Sequence, residues 1–216
     1  MKAFIYAVLT TLALVLLVVA TASAQAPVHP TDPNAVLIGT FEVSIFVSGG
    51  TATTASRTGI RSASTSTEDC QIKATIQVWR TSTGAIDYVI DASSIRYIGS
   101  CGSLGLTTND IFGLLSQAAL QSGIQQGFSP CTSDCNAQNA ARVYAALCVR
   151  HSGSGESTRY EPCDMTSYCY RDYAYCCPNG TGTPQITEIP RTGDGCGSGV
   201  PSSCEPTCTT SSKQLK

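Results

Sequence analysis

Twelve cysteines are the residues of this 216-residue chain with the most obvious chemistry. Cysteines form disulfides or bind metal ions as thiolates, and zinc-binding chains usually show C-x2-C knuckles. Here the spacings include C-x3-C, C-x5-C, C-x6-C and one adjacent pair, without any C-x2-C. Cys176 and Cys177 would face opposite ways in a strand, so they should bridge to different partners. We predict up to six disulfides of open connectivity, with no metal and no cofactor, from Cys70, Cys101, Cys131, Cys135, Cys148, Cys163, Cys169, Cys176, Cys177, Cys196, Cys204 and Cys208.

Two histidines offer acid–base chemistry near neutral pH. His29 lies among prolines in an N-terminal stretch that we expect to be flexible, where it would not be held in place. His151 is predicted at the tip of a hairpin beside Arg150, with Glu156 and Glu161 on the facing strand. A cross-strand pair of histidine and glutamate is chemically possible there, although a solvated turn histidine is the commoner arrangement.

Motifs that position a nucleophile, a nucleotide or a metal ion do not occur in the sequence. A G-x-S-x-G elbow, a P-loop, a dinucleotide fingerprint, an H-E-x-x-H pair and an EF-hand loop are all missing. Carboxylates for a glycosidase exist at Glu68, Asp69, Asp164 and Asp172, but no pattern brings them together. We therefore predict a non-enzymatic protein with no catalytic residue. The alternative is a secreted hydrolase that uses His151 with nearby carboxylates.

Tyrosines concentrate in one part of the chain, where cysteines are interleaved with them. Six of the nine tyrosines lie between residues 144 and 175. A sheet held rigid by disulfides and carrying aromatic side chains loses little conformational entropy when it binds a partner. The competing interpretation is that tyrosine simply suits half-buried strands. The candidate binding surface consists of Tyr144, Tyr160, Tyr168, Tyr170, Tyr173 and Tyr175.

Charge and composition limit the classes of partner. Thirteen Lys and Arg residues stand against fifteen Asp and Glu residues, and charged residues make up only 13% of the chain. Nucleic acids and anionic lipids are bound through clustered basic residues, so we expect neither. The expectation that remains is a non-enzymatic binding or structural protein. Its partner would be an extracellular protein, a glycan or a second copy of the chain.

The first 24 residues have the organisation of a cleaved signal peptide. Lys2 is followed by an apolar stretch over residues 3–20 and by a small-residue cleavage sequence at 22–24. A retained transmembrane anchor is the alternative, because about 20 apolar residues cross a bilayer. We predict cleavage after residue 24, a flexible mature N-terminus over 25–34 and no membrane insertion of the mature chain. The cysteine content fits a secreted, extracellular, periplasmic or cell-surface protein.

Hydrophobic periodicity predicts an antiparallel meander followed by further strands. Alternation of apolar and polar residues marks strands at 36–47, 72–80, 86–95, 157–161, 167–177 and 185–189. Residues 142–149 also alternate, but their alanines leave a helix as an open alternative. The stretch 48–67, rich in Ser, Thr and Gly, is expected to be a mobile loop. Trp79 falls on the polar face of its strand, either as a contact residue or under a covering loop or helix.

One amphipathic helix is predicted over residues 107–126. Thr107 and Asp110 match a capping box, and Gly127 is placed to end the helix. A short second helix could start at Asp134. The helix should lie on a sheet face, because its apolar residues recur at helical spacing.

The prediction for the whole chain is an α+β fold. It has an antiparallel β-sheet meander with one main amphipathic helix packed on it, and disulfides staple the structure. A single domain spans residues 35–190, and an irregular tail pinned by cysteines spans 191–216. Asn179-Gly180-Thr181 is a glycosylation sequence in a eukaryotic host and an ordinary turn in a bacterial one.

Overall fold

The computed structural model describes residues 27–48, 51–54, 70–99, 101, 105–136, 138–178, 183–191, 195–196 and 199–209, with residues 51–54 described by their backbone. The predicted signal peptide, the glycosylation sequence at Asn179, and the carboxylates Glu68 and Asp69 lie outside these residues. Within the described part, no helix is long and apolar enough to cross a membrane.

The described chain is a mixed α+β structure, as predicted. Two short 3-10 turns, Ala92–Ser94 and Gly155–Ser157, accompany the regular elements. In chain order these elements are β1 Val36–Ser48, β2 Thr51–Thr54, β3 Cys70–Arg80, β4 Ile86–Ile90, β5 Arg96–Gly99, α1 Thr108–Gln125, β6 Asn139–Ala146, β7 Cys148–Ser152, β8 Arg159–Pro162, β9 Tyr168–Cys176, β10 Gln185–Ile189 and β11 Glu205–Pro206.

The larger sheet contains eight strands. Its order is β10-β9-β6-β4-β3-β1-β2, and β5 pairs with β3 alongside β4. Strands β1, β3 and β4 form the antiparallel meander that the alternation predicts. Strands β4 and β6 pair in parallel, which requires a crossover, and α1 lies in that crossover.

Helix α1 begins and ends where its sequence predicts. The hydroxyl of Thr107 accepts from the Asp110 backbone N–H, and the Asp110 carboxylate accepts from the Thr107 backbone N–H. After Gln125 the chain turns at Gly127, which adopts a positive φ of 78°. The helix packs on β1, β3, β4 and β6. Its buried apolar residues join the core, with Phe112, Leu115 and Leu120 fully buried.

A second sheet of three strands contains β11, β7 and β8 in that order. The alternating stretch after residue 142 is extended, so the helical alternative is wrong. The stretch divides at Leu147, whose N–H donates to Ser167 and whose carbonyl accepts from Thr207. Strand β6 therefore belongs to the large sheet, whereas β7 forms the predicted hairpin with β8.

All twelve cysteines pair in six disulfides, which confirms the prediction of a disulfide framework. Cys176 and Cys177 bridge to different partners, as their opposite directions on the strand require. Loops of 31 to 48 residues are closed. In the chain-entropy account a loop of this length is worth about 4 kcal/mol. The pairs are Cys70–Cys101, Cys131–Cys177, Cys135–Cys176, Cys148–Cys196, Cys163–Cys204 and Cys169–Cys208.

Two local predictions are wrong. Residues 51–54 of the expected loop 48–67 are strand β2, which pairs with the end of β1 at the sheet edge, whereas 49–50 and 55–67 lie outside the described residues. Its residues T-A-T-T include three β-branched threonines, which favour extended backbone even without apolar content. Residues 131–136 form an irregular segment and not the possible helix at Asp134. Cys131 and Cys135 both bridge to the end of β9, and these bonds hold the segment against that strand.

The C-terminal tail is more than a set of pinned cysteines. Thr207 is fully buried, and its hydroxyl donates to the Ala146 carbonyl. Its own carbonyl accepts from Arg171, a buried side chain that also donates to Asn109 at the start of α1. These bonds hold β11, an edge strand of the second sheet, beside the start of α1. The tail thus contributes a strand and a side chain, Glu205, to the region described next.

Candidate functional site

A cavity of ≈630 Å³ lies where the two sheets meet the start of α1. This volume is in the range of small-molecule sites. We call it the His151 cavity. One part of its wall is apolar, and the rest carries hydroxyls, an imidazole and a carboxylate. Its lining residues are Tyr97, Cys101, Leu106, Thr107, Thr108, Ile111, His151, Gly153, Ser154, Gly155, Thr158, Tyr160 and Glu205.

Disulfides hold the walls of the His151 cavity. Cys101 lines the cavity and is bonded to Cys70 at the start of β3. Cys204 directly precedes Glu205 and is bonded to Cys163 at the end of β8. The carboxylate is therefore carried by a two-residue strand that a covalent bond fixes in place. A site on such a support needs little further ordering when a ligand enters.

Four polar side chains form two hydrogen-bonded pairs on one wall of the cavity. The hydroxyls of Tyr97 and Tyr160 are 2.7 Å apart. The Thr108 hydroxyl donates to Oε2 of Glu205, because a carboxylate only accepts. Both pairs line the same cavity, so their remaining hydrogen-bonding positions are available on one wall.

Burial keeps Tyr97 and Tyr160 protonated. Burial, the nearby Tyr160 and its hydrogen bond all raise the pKa of Tyr97. The pKa of Tyr160 is also raised, chiefly by burial, and the charge of Glu205 acts in the same direction. Both groups therefore remain hydroxyl donors across the physiological range.

His151 stands at the open side of the cavity, and its side chain is 47% exposed. Its predicted partners are wrong. Glu161 pairs with Arg150 at 2.6 Å, and Glu156 accepts from the Gly99 N–H, because the β7–β8 register places Tyr160 opposite His151. The carboxylate near His151 is Glu205, with 3.7 Å between Nδ1 and Oε1.

His29 is held firmly, contrary to the prediction of a flexible N-terminus. It belongs to residues 27–35, which we call the N-terminal strap. The His29 imidazole is buried between Trp79 and Tyr144, with ring centroids 5.7 and 5.2 Å away. Its Nδ1 accepts from the backbone N–H groups of Thr31 and Asp32. The strap therefore covers Trp79. Of the two alternatives for this residue, the one with a covering segment is correct.

A buried carboxylate faces the same histidine. Oδ2 of Asp87 lies 3.2 Å from Nε2 of His29, although the pair is off the line of a good hydrogen bond. Burial raises the pKa of Asp87, and the charges of His29 and Arg142 partly oppose that shift. Because Nδ1 is already an acceptor, the neutral imidazole carries its proton on Nε2. The strap is also held by the Ser82 N–H, which donates to Asp32.

The predicted surface of six tyrosines does not exist as one patch. Tyr144, Tyr160, Tyr173 and Tyr175 are buried, and Tyr168 is 37% exposed. Successive strand residues face opposite sides of the sheet, so α1 covers one set of tyrosines and the strap covers Tyr144. Tyr170 stays half-buried between two arginines, because the guanidinium groups of Arg142 and Arg191 lie 3.9 and 3.8 Å from its ring centroid. Tyr160 alone of the six lines the His151 cavity.

Three side chains of the hydrogen-bonded wall were missed by sequence reasoning, Tyr97, Thr108 and Glu205. The usable signal was the position of Glu205 beside Cys204, because a charged residue next to a bridged cysteine is held in place. The other predicted carboxylates lie elsewhere: Asp172 pairs with Arg142, and Asp164 accepts from Thr166 and Ser167.

In the described ranges no group of three His, Cys, Asp or Glu residues could hold a metal ion. The polar groups that the structure brings together around the His151 cavity instead suit a molecule bound through hydrogen bonds. No family model, no curated protein and no solved structure matches this chain.

Proposed function

We propose that this protein is an exported, non-enzymatic binding protein that holds a small molecule in the His151 cavity. The single observation that carries the proposal is that two hydrogen-bonded pairs, Tyr97 with Tyr160 and Thr108 with Glu205, line one ≈630 Å³ cavity. A few convergent polar groups in a partly apolar cavity are the usual form of a small-molecule site. Six disulfides are compatible with function outside the cell.

The polar lining of the cavity supports binding in preference to a purely structural role. The polar groups of the cavity come from β5, α1, β7, β8 and β11, five elements that the fold has to bring together. Placing several polar side chains around one cavity costs desolvation wherever a group is left unsatisfied. In a protein with only a structural role, apolar residues could fill the same volume at less cost.

A fragment screen by NMR on the mature, oxidised protein tests the proposal. We expect fragments that bind to shift the amide resonances of Tyr97, Thr108 and Glu205. Tyr160→Phe and Thr108→Val should each weaken such binding about tenfold, because each removes a hydroxyl that can form a hydrogen bond at the cavity wall. Tyr168→Phe removes a tyrosine hydroxyl outside the His151 cavity and serves as the matched control. Fragments that shift only resonances far from the cavity would contradict the proposal.

A secreted hydrolase is the second candidate, because Glu205 stands near Nδ1 of His151 as the orienting group of a base would. The direction of donation supports binding instead, since Thr108 gives its proton to Glu205 and not to His151. A nucleophile would then have to be water activated by His151. Release of nitrophenol from simple esters that disappears in His151→Ala, with an unchanged spectrum of the folded protein, would favour the hydrolase.

A further inference from the structure

The acceptor atoms left open in the His151 cavity indicate what kind of ligand fits it. Oε2 of Glu205 already accepts from Thr108. Oε1 lies 3.7 Å from Nδ1 of His151, which is longer than a hydrogen bond. A nitrogen placed about 2.9 Å from both atoms would donate to the carboxylate and to the imidazole lone pair. The gap therefore has the dimensions of a donor that bridges Glu205 and the imidazole of His151.

The charge around this gap is negative. Two carboxylates, Asp110 and Glu205, lie at the first turn of α1, against about half a positive charge from the helix dipole. Arg150 pairs with Glu161, and Arg159 donates to two backbone carbonyls. Among the described residues no arginine or lysine pairs with Glu205, whose one ion-pair contact is His151, so a cation entering the gap would meet this carboxylate directly.

The rest of the wall fits an apolar body. Leu106 and Ile111 line the cavity together with the disulfide at Cys101 and the ring of Tyr160. An aromatic ring beside a carboxylate also stabilises an organic cation through its π face. These surfaces can pack the carbon skeleton of a ligand whose charged end lies at Glu205.

We infer that the His151 cavity selects small organic ammonium ions, with the ammonium group between Glu205 and His151 and an apolar or aromatic body against Leu106 and Ile111. This inference rests on the proposed function, because it names the ligand class of the same cavity. It follows from geometry and charge together. A carboxylate ligand would meet Glu205 as a like charge, and a neutral alcohol would donate only one hydrogen bond.

Three probes of similar shape test the inference: 2-phenylethylammonium, 3-phenylpropan-1-ol and 3-phenylpropanoate. Each is titrated into the labelled mature protein at pH 7.5, and binding is followed by amide shifts around Glu205. We expect the ammonium ion to bind at least tenfold more tightly than the alcohol, and the carboxylate to cause no saturable shift. Glu205→Gln should remove most of the preference for the ammonium ion, and Glu161→Gln, a glutamate paired with Arg150, is the matched control.

The outcomes separate the two proposals. If the alcohol or the carboxylate binds in the cavity as tightly as the ammonium ion, the ligand class is wrong while the binding function stands. The same conclusion follows if Glu205→Gln, with a dispersed spectrum of the folded protein, keeps the full preference. If none of the probes, and none of the fragments in the screen above, shifts resonances of the cavity, both proposals fail.

Discussion

The two histidines occupy opposite environments. The His29 side chain has no exposed surface and fills the space between Trp79 and Tyr144, whereas the His151 side chain is 47% exposed. His29 therefore stabilises the fold, whereas His151 lines the cavity. His29 lies among prolines and His151 in a hairpin, and neither sequence context predicts burial, so only their tertiary contacts separate these roles.

At the residue scale we expect His29→Ala to lower the free energy of unfolding by about 2–3 kcal/mol, because it leaves a cavity beside Trp79 and frees two backbone donors. Trp79 is the single tryptophan, so its fluorescence reports on this place alone. Its emission should move to longer wavelength as the strap loosens. His151→Ala is the control and should change neither quantity. An unchanged emission in His29→Ala would mean that the strap is held without its histidine.

At the scale of elements, the glycines of helix α1 show how closely the helix packs on the sheet. It contains two glycines that meet different surroundings. A Cβ at Gly123 would lie 2.2 Å from the Tyr88 hydroxyl, but a Cβ at Gly113 would be 3.6 Å from Arg171. The first glycine allows the helix to approach β4 closely. The second has room for a methyl group.

We expect opposite effects when each glycine is replaced by alanine. Gly113→Ala should stabilise the protein by about 0.5–1 kcal/mol, because alanine favours helix and the contact is ordinary. Gly123→Ala should destabilise it by about 1–3 kcal/mol, because Tyr88 or the helix must move. Denaturant unfolding of the oxidised protein measures both changes. Equal effects of the two substitutions would contradict the close approach of α1 to Tyr88.

At the scale of the whole molecule, stability combines covalent links with buried tyrosines. The disulfides restrict the unfolded chain, and a buried tyrosine must stay protonated in the folded state. Burial raises the pKa of Tyr88 to about 12, opposed in part by its hydrogen bond to Ser129. The pKa values of Tyr97, Tyr160 and Tyr175 are raised for the same principal reason.

These shifts predict that the free energy of unfolding falls as pH rises above 10. An unfolded tyrosine loses its proton near pH 10, whereas folded Tyr88 keeps it to about pH 12, so the folded state holds more protons in this window. Two pKa units correspond to a loss of about 2–3 kcal/mol from Tyr88 alone. Guanidinium unfolding at pH 9, 10 and 11 measures the decrease. Tyr88→Phe should lessen it, and equal pH dependence in both proteins would show that Tyr88 ionises normally.

Much of the architecture follows from local patterns in the chain. The capping box of Thr107 and Asp110 predicted the start of α1, and alternation predicted the meander of β1, β3 and β4. The same alternation could not say which tyrosines stay exposed. A strand shows two faces, and both are covered here, one by α1 and one by the N-terminal strap. Proline-rich composition around His29 predicted flexibility because composition does not reveal a buried partner such as Asp87.

The sequence alone therefore established the helix with its ends and the sequential strands, because each depends on residues within a few positions of one another. It also established the disulfide chemistry, because that follows from the number and spacing of the cysteines. The cavity could not be predicted from the sequence, because it forms only in the folded chain. Thr108 and Glu205 meet across 97 positions, because the Cys163–Cys204 bond ties the tail to the end of β8 and Arg171 joins Thr207 to Asn109 at the start of α1. Twelve cysteines allow on the order of 10,000 pairings, so no local rule identifies that bond in advance. The same long-range packing places Glu205, and not Glu156 or Glu161, next to His151.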